Sequence, residues 1–259
     1  MQKSPLSVTL LKGLGVLLLG FLCTQVFGKN SDFSFSSSRQ RASLVELFTS
    51  QGCHSCPPAE KWLNHWEKHP GLWKKVVPLA YHVDYWDYLG WKDPYASKKY
   101  TQRQRQYYQQ GYSESVYTPE FIVNGEEWKG WFHQENLPSF QEKAGILKGI
   151  LREDSLYVTY TSNSSLRVPL NLHVAITGSN INTEVPKGEN RGKILWQDFV
   201  VLHHSAYPTS TQTQTPSWSL LLPIEQLQKT IKSKYAISIW VVPNNSMIPL
   251  QATGSFVPQ

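Results

Sequence analysis

Two cysteines three positions apart, Cys53 and Cys56, stand between an apolar run and a pair of prolines. No other feature of the chain constrains its local fold as tightly. Upstream, Ser43-Leu44-Val45-Glu46-Leu47-Phe48 is a short apolar run with the character of a strand, and Thr49-Ser50-Gln51-Gly52 supplies a turn. Downstream, Pro57-Pro58 opens a segment in which Ala59, Trp62, Leu63 and Trp66 recur at the spacing of one buried helix face. The motif therefore falls at a strand-to-helix junction, where unpaired backbone N–H groups and the positive end of the helix dipole favour a thiolate. Cys53 is the expected nucleophile, and Cys56 is placed to resolve a mixed disulfide.

The third cysteine, Cys23, belongs to a segment with a different character. Lys3 and Lys12 precede an apolar stretch from Leu14 to about Leu22, and Val26 and Gly28 occupy the −3 and −1 positions of a cleavage site before Lys29. Residues 1–28 are read as a secretory signal peptide and 29–42 as a linker. The apolar stretch is shorter than the ~20 residues that span a bilayer and is broken by Gly15 and Gly20, so no stable membrane anchor is expected. Bulky Leu22 directly before Cys23 disfavours lipidation. Cleavage removes Cys23 and leaves Cys53 and Cys56 in the periplasm or outside the cell, where disulfides form.

Two cysteines at this spacing are expected to cycle between dithiol and disulfide. A closed zinc site needs four ligands, and no second C-x-x-C or Cys-His cluster follows to complete one. No cofactor is expected on this reading. Two alternatives stay open: a soft-metal module binding copper or zinc through Cys53, Cys56, His82 and Asp84, and a binding protein in which the disulfide is only structural. Lys and Arg number 25 against 19 Asp and Glu, with no long basic run, so no nucleic-acid partner is expected. An apolar fraction of 40% over 259 residues excludes a disordered chain and allows one large domain or two small ones.

Further along, Val76–Val83 reads as a second strand, and Asp93-Pro94 as the cap and first turn of a helix running to about Gln110. Glu120–Val123, Asn124-Gly125 and Glu126–Lys129 read as a hairpin with a two-residue turn. Phe140, Ala144, Leu147 and Leu151 predict a third helix over about 138–151. From Ser155 the texture changes to short β-branched runs at Leu156–Thr161, Arg167–Thr177, Leu195–Leu202, Trp218–Leu222 and Ala236–Val242, with Trp196, Trp218 and Trp240 as anchors. Residues 153–259 are expected to form a small β-sandwich, and His203-His204 to be surface side chains.

The order β-α-β-α-β-β-α over 43–152, with Thr118-Pro119 just before the hairpin, resembles the thioredoxin-like fold. More closely, the segments 45–59 and 82–94, Arg103-Gln104 and Tyr117-Thr118-Pro119 resemble a family of uncharacterised exported bacterial proteins with a thioredoxin-like domain. The fold expected is thus an α/β thioredoxin-like domain followed by a small all-β, sandwich-like domain. The resemblance implies a cis Thr118–Pro119 bond beside the cysteines, leaving the Thr118 backbone free to pair with an extended substrate. The C-x-x-C motif itself, not the resemblance, points to a thiol-disulfide oxidoreductase whose partners are a protein or small thiol/disulfide substrate and a redox partner.

Other residues of the candidate site carry two readings each. Protonated His54 stabilises the Cys53 thiolate, or it is a solvated side chain at a helix start. Glu46 corresponds to the buried acid that assists the resolving cysteine in thioredoxins, with spacing one residue longer, or it is salt-bridged or exposed at an edge. The segment from His82 to Asp93, with Tyr85, Trp86, Tyr88 and Trp91, borders the cysteines or plugs the end of the sheet.

Overall fold

A computed structural model describes residues 1–2, 32–133, 135–139, 141–163, 168–209, 215–223 and 234–258. Residues 3–31, which hold most of the expected signal peptide and Cys23, and Phe140 lie outside the described residues. The chain opens with β1 (Phe33–Ser36) and continues through β2 (Ser43–Thr49), α1 (Cys56–Asn64), β3 (Val76–His82), α2 (Lys98–Gln109), β4 (Glu120–Val123) and β5 (Glu126–Glu127). Nine strands follow among the described residues: β6 (Ile146–Arg152), β7 (Ser155–Thr161), β8 (Leu170–Gly178), β9 (Ile181–Glu184), β10 (Ile194–Gln197), β11 (Val200–Pro208), β12 (Ser217–Leu221), β13 (Tyr235–Pro243) and β14 (Gln251–Phe256).

Eight strands make one sheet in the order β14-β13-β8-β11-β3-β2-β4-β5. At its centre β2 runs parallel to β3 and antiparallel to β4, and every residue of β2 and β3 is buried, as expected of strands covered on both faces. A second sheet, β1-β6-β7-β12, packs on β8 and β13: Leu147, Leu151, Leu156 and Val158 from one side meet Leu172, Val174, Ile237 and Ile239 from the other. A separate ribbon pairs β9 with β10. The Asn124-Gly125 turn between β4 and β5 has φ of 54° and 94°, the left-handed values a two-residue hairpin turn requires.

This architecture overturns the expected α/β domain followed by a separate β domain. Strands dominate, and the described residues hold two α-helices, of 9 and 12 residues. The third helix is absent: the stretch ends in β6, whose residues alternate outward and inward with Leu147, Gly149 and Leu151 facing the core. Leu147 and Leu151 are four apart, which satisfies a helix and a strand equally, and their pairing with Tyr160 and Leu156 of β7 decides for the strand. The boundary near residue 152 also disappears. β11 joins β3 in the large sheet, with Val200 opposite Ala80 and the Ala80 N–H donating to the Phe199 carbonyl at 2.8 Å. Residues from Ser31 onward form one unit.

Candidate functional site

The cysteines close a disulfide with Cα atoms 5.5 Å apart, at the turn between β2 and α1. Turn formation is local: the Cys53 N–H donates to the Ser50 carbonyl at 3.1 Å, and the Cys56 N–H to the Cys53 carbonyl at 3.3 Å. Both cysteines are buried, Cys53 at 2% exposure and Cys56 at 0%, whereas His54 and Ser55 between them are exposed. Cys53 Sγ lies 3.4 Å from Ser55 Oγ and 3.8 Å from the Thr118 carbonyl oxygen. The Thr118–Pro119 bond is cis. The antiparallel pairing of β4 with β2, Phe48 opposite Glu120, brings this dipeptide to the cysteine turn.

The helix start provides less to a thiolate than its position promises. The N–H of Cys56, the first helical residue, is spent on the Cys53 carbonyl, and Pro57 and Pro58 in the next two positions have no N–H to donate. The His54 N–H is taken by Glu189 Oε2 at 3.0 Å, which sets a carboxylate beside the cysteines. Next to Glu189, the buried Asn190 amide donates to the carbonyls of Gln51 and Cys53 at 2.9 and 2.8 Å. On another side Trp86 packs its Cβ over Gly52 and donates from Nε1 to Thr118 Oγ1 at 2.7 Å. Any Cβ at Gly52 would lie 3.3 Å from that of Trp86. The disulfide thus sits in a rim made by the segment 84–91, the loop between β9 and β10, and Thr118-Pro119. The 82–93 segment borders the cysteines.

Glu46 is fully buried and points away from solvent into an ion pair. Arg103 of α2 grips it in bidentate fashion, Nε to Oε1 at 2.7 Å and Nη2 to Oε2 at 3.1 Å, and the Tyr107 hydroxyl donates to Oε2. Burial works against the Arg103 charge, but Glu46 beside it outweighs that and holds the guanidinium pKa above its usual value. Glu46 is therefore tied into a buried ion pair away from the cysteines. A buried polar layer lies instead under the cysteine turn. Glu60 Oε1 accepts from Thr49 Oγ1 at 2.7 Å and Gln197 Nε2 at 2.8 Å; Gln51 Nε2 donates to Gln197 Oε1 at 2.8 Å; and Asp93 Oδ2 accepts the Gln51 N–H at 2.8 Å.

His82 and Asp84 do not join the sulfurs. His82 Nδ1 pairs with Asp93 Oδ2 at 2.7 Å, and Asp84 Oδ1 accepts from Thr101 Oγ1 at 2.6 Å. Among the described residues no three His, Cys, Asp or Glu side chains converge as a metal-ligand set, so the copper or zinc alternative built on Cys53, Cys56, His82 and Asp84 is not assembled. Burial alone lowers the His82 pKa, but the charge and hydrogen bond of Asp93 more than reverse this and raise it. For Asp93 burial raises the pKa, and His82 together with the Gln51 and Tyr95 N–H groups brings it below the ordinary value.

Of the two histidines expected at the surface, His203 stays partly exposed and His204 turns inward. His204 Nε2 lies 3.0 Å from His173 Nδ1, its Nδ1 lies 3.3 Å from the Tyr81 hydroxyl, and both rings lie against buried Trp240. Trp196, expected as an anchor, is 59% exposed on β10. Sequence reasoning missed Glu60, Asn190, Glu189 and Gln197. Glu60 alone left a trace, as a charged residue on the apolar face with Ala59 and Leu63; the others lie more than 130 residues from the motif.

Together these observations define a mixed-sheet protein carrying a C-x-x-C disulfide at the start of a helix, roofed by a β-ribbon from the far half of the chain. A family model described as a protein of unknown function, DUF1223, matches residues 44–241, and the chain belongs to that family. The crystal structure of protein AGR_C_4864 from Agrobacterium tumefaciens is similar, with 27% identity and a TM-score of 0.58 over 85% of this chain and 96% of that one. HBP35 of Porphyromonas gingivalis shares the fold at 17% identity and a TM-score of 0.51, over 85% of this chain and 76% of that one. No curated protein matches the chain.

Proposed function

We propose that the protein is an exported thiol-disulfide oxidoreductase in which Cys53 exchanges with substrate and Cys56 resolves the mixed disulfide. The observation that carries this reading is the Cys53–Cys56 disulfide held at a strand-to-helix turn, with Cys53 Sγ 3.8 Å from the carbonyl oxygen of Thr118. A substrate strand laid along Thr118 brings its own sulfur to Cys53, the geometry that exchange requires. The closed rim favours a small thiol or an extended peptide over the flat face of a folded protein. Export is supported by the basic and apolar character of residues 1–28 and by a disulfide that needs an oxidising compartment. No helix among the described residues is long and apolar enough to cross a membrane.

The test is trapping. Cys56→Ser leaves the attacking sulfur and removes the resolving one, so it accumulates reductant-sensitive covalent adducts in an extract of exported proteins, whereas Cys53→Ser accumulates none. Absence of adducts from Cys56→Ser, with loss of stability alone from both replacements, identifies a structural disulfide instead.

A further inference from the structure

We propose that Glu60 is the proton donor and acceptor for Cys56 during disulfide opening and closing, an inference that rests on the oxidoreductase reading. Cys56 has no exposed surface. When an external thiolate attacks Cys53, the Cys53–Cys56 bond breaks and its electron pair goes to Cys56 Sγ, which then carries a charge where water does not reach. A thiolate in such surroundings is costly, so a proton must come from within the protein.

Helix α1 places a carboxyl where that proton is needed. Glu60 follows Cys56 by four residues, both on the buried face of the helix, a spacing that sets Cβ atoms roughly 5–6 Å apart. Both hydrogen bonds to the Glu60 carboxyl, from Thr49 and Gln197, fall on Oε1, which leaves Oε2 to carry the proton. Facing Glu60 are two charged groups, His82 from β3 and Asp93 from the segment before α2, with the neutral donors Thr49 of β2 and Gln197 of β10. His82 Nε2 is buried and has no hydrogen-bond partner among the described residues. Burial keeps the Glu60 pKa above its ordinary value, against the pull of His82 and the two hydrogen bonds. Glu46 is bound up in its ion pair with Arg103.

The steps balance. The substrate thiolate bonds to Cys53 Sγ, Cys56 leaves as a thiolate and takes the proton of Glu60, and the resulting carboxylate is held by Thr49, Gln197 and the His82 imidazolium. In the reverse direction the Cys56 thiol passes its proton to Glu60 as it attacks Cys53, and the substrate leaves as a thiolate.

The experiment follows opening of the disulfide in the full mature chain by dithiothreitol, using acid quench, alkylation and mass measurement across pH 5–9. Glu60→Gln preserves shape and removes the acid; its opening rate at pH 7 is expected to fall about a hundredfold, the range ascribed to general acid catalysis, with loss of the limb that titrates with Glu60. Thr49→Val, which removes one donor from the Glu60 carboxylate, moves that limb to higher pH and stands in if Glu60→Gln does not fold. Wild-type rate and pH profile in these variants overturn the proton role while leaving the trapping result for Cys56→Ser untouched. A wild-type disulfide that resists dithiothreitol overturns both readings together.

Discussion

Asn190 donates its side-chain amide to the Cys53 carbonyl at 2.8 Å across 137 residues of sequence. It is fully buried, and its second donor hydrogen reaches the Gln51 carbonyl, so one side chain spans the turn that holds the nucleophile. Lys193 Nζ in turn donates to Asn190 Oδ1 at 2.9 Å. Asn190→Ala leaves the buried Gln51 carbonyl unpaired, at about 1–3 kcal/mol before water enters, and leaves the Cys53 carbonyl with the Cys56 N–H alone. The expected outcome is a lower urea midpoint together with faster reduction of the disulfide by dithiothreitol, since the turn and its rim loosen together. A variant with the lower midpoint but an unchanged reduction rate shows that Asn190 fastens the ribbon and not the cysteine turn.

The Glu46–Arg103 pair gives a second prediction. Both side chains are almost fully buried, at 0% and 8% side-chain exposure, so removing one leaves an uncompensated charge in the core. Arg103→Met is expected to cost about 3–5 kcal/mol, and Glu46→Gln with Arg103→Met to recover most of that, because a buried pair is not intrinsically stabilising. Urea unfolding of the two single variants and the double variant measures the coupling; additive losses contradict it.

What the sequence made legible was local, and what it hid came from afar. The apolar runs of β2 and β3 and the Asn124-Gly125 turn could be read because each depends on neighbours within a few residues. Asp93-Pro94 misled: it reads as a helix cap, but Asp93 accepts from His82, Gln51 and Tyr95, and α2 starts five residues later with Ser97 Oγ accepting the Lys99 N–H. The expected strand 195–202 is broken at Phe199, whose φ of 59° turns the chain between β10 and β11. That break frees β10 to pair with β9, which brings Gln197 over α1 and lets β11 join the central sheet. Asn190 and Glu189 sit in a stretch rich in polar residues, Pro and Gly that carries no periodicity, and Gln197 lies inside a run that reads as one continuous strand, so nothing in either announced contact with the cysteine turn.

Glu120, next to Pro119, sets a pH dependence. Burial raises its pKa from the ordinary carboxylate value to about 7, although Ser113 and Gln104 donate to it. A carboxyl whose folded pKa exceeds its unfolded one binds a proton more tightly in the native state, so its contribution is complete below about 4.5 and is lost as pH rises through 7. At 1.36 kcal/mol per unit the loss is roughly 3 kcal/mol. Glu120→Gln, which keeps the group neutral, is expected to flatten this fall between pH 4.5 and 8. Urea midpoints of wild type and variant across that range provide the check, and parallel curves refute it.

Glu189 is expected to restrain the nucleophile. Its carboxylate occupies the His54 N–H at 3.0 Å, and the second and third helical positions are prolines, so the Cys53 sulfur has few backbone donors and a negative neighbour. Both effects oppose the thiolate that the helix dipole favours. Because Glu189 is exposed, water screens its charge, and the effect is a fraction of that of a buried carboxylate. Glu189→Gln keeps the hydrogen bond and removes the charge. The variant is expected to show a lower Cys53 thiol pKa, alkylation by iodoacetamide several-fold faster at pH 7, and a more oxidising disulfide, since a stabilised thiolate favours the reduced form. Raising the salt concentration shrinks the difference between wild type and variant. Equal alkylation rates at low salt place the carboxylate too far from the sulfur to matter, and the restraint then rests on the missing donors of Pro57 and Pro58 alone.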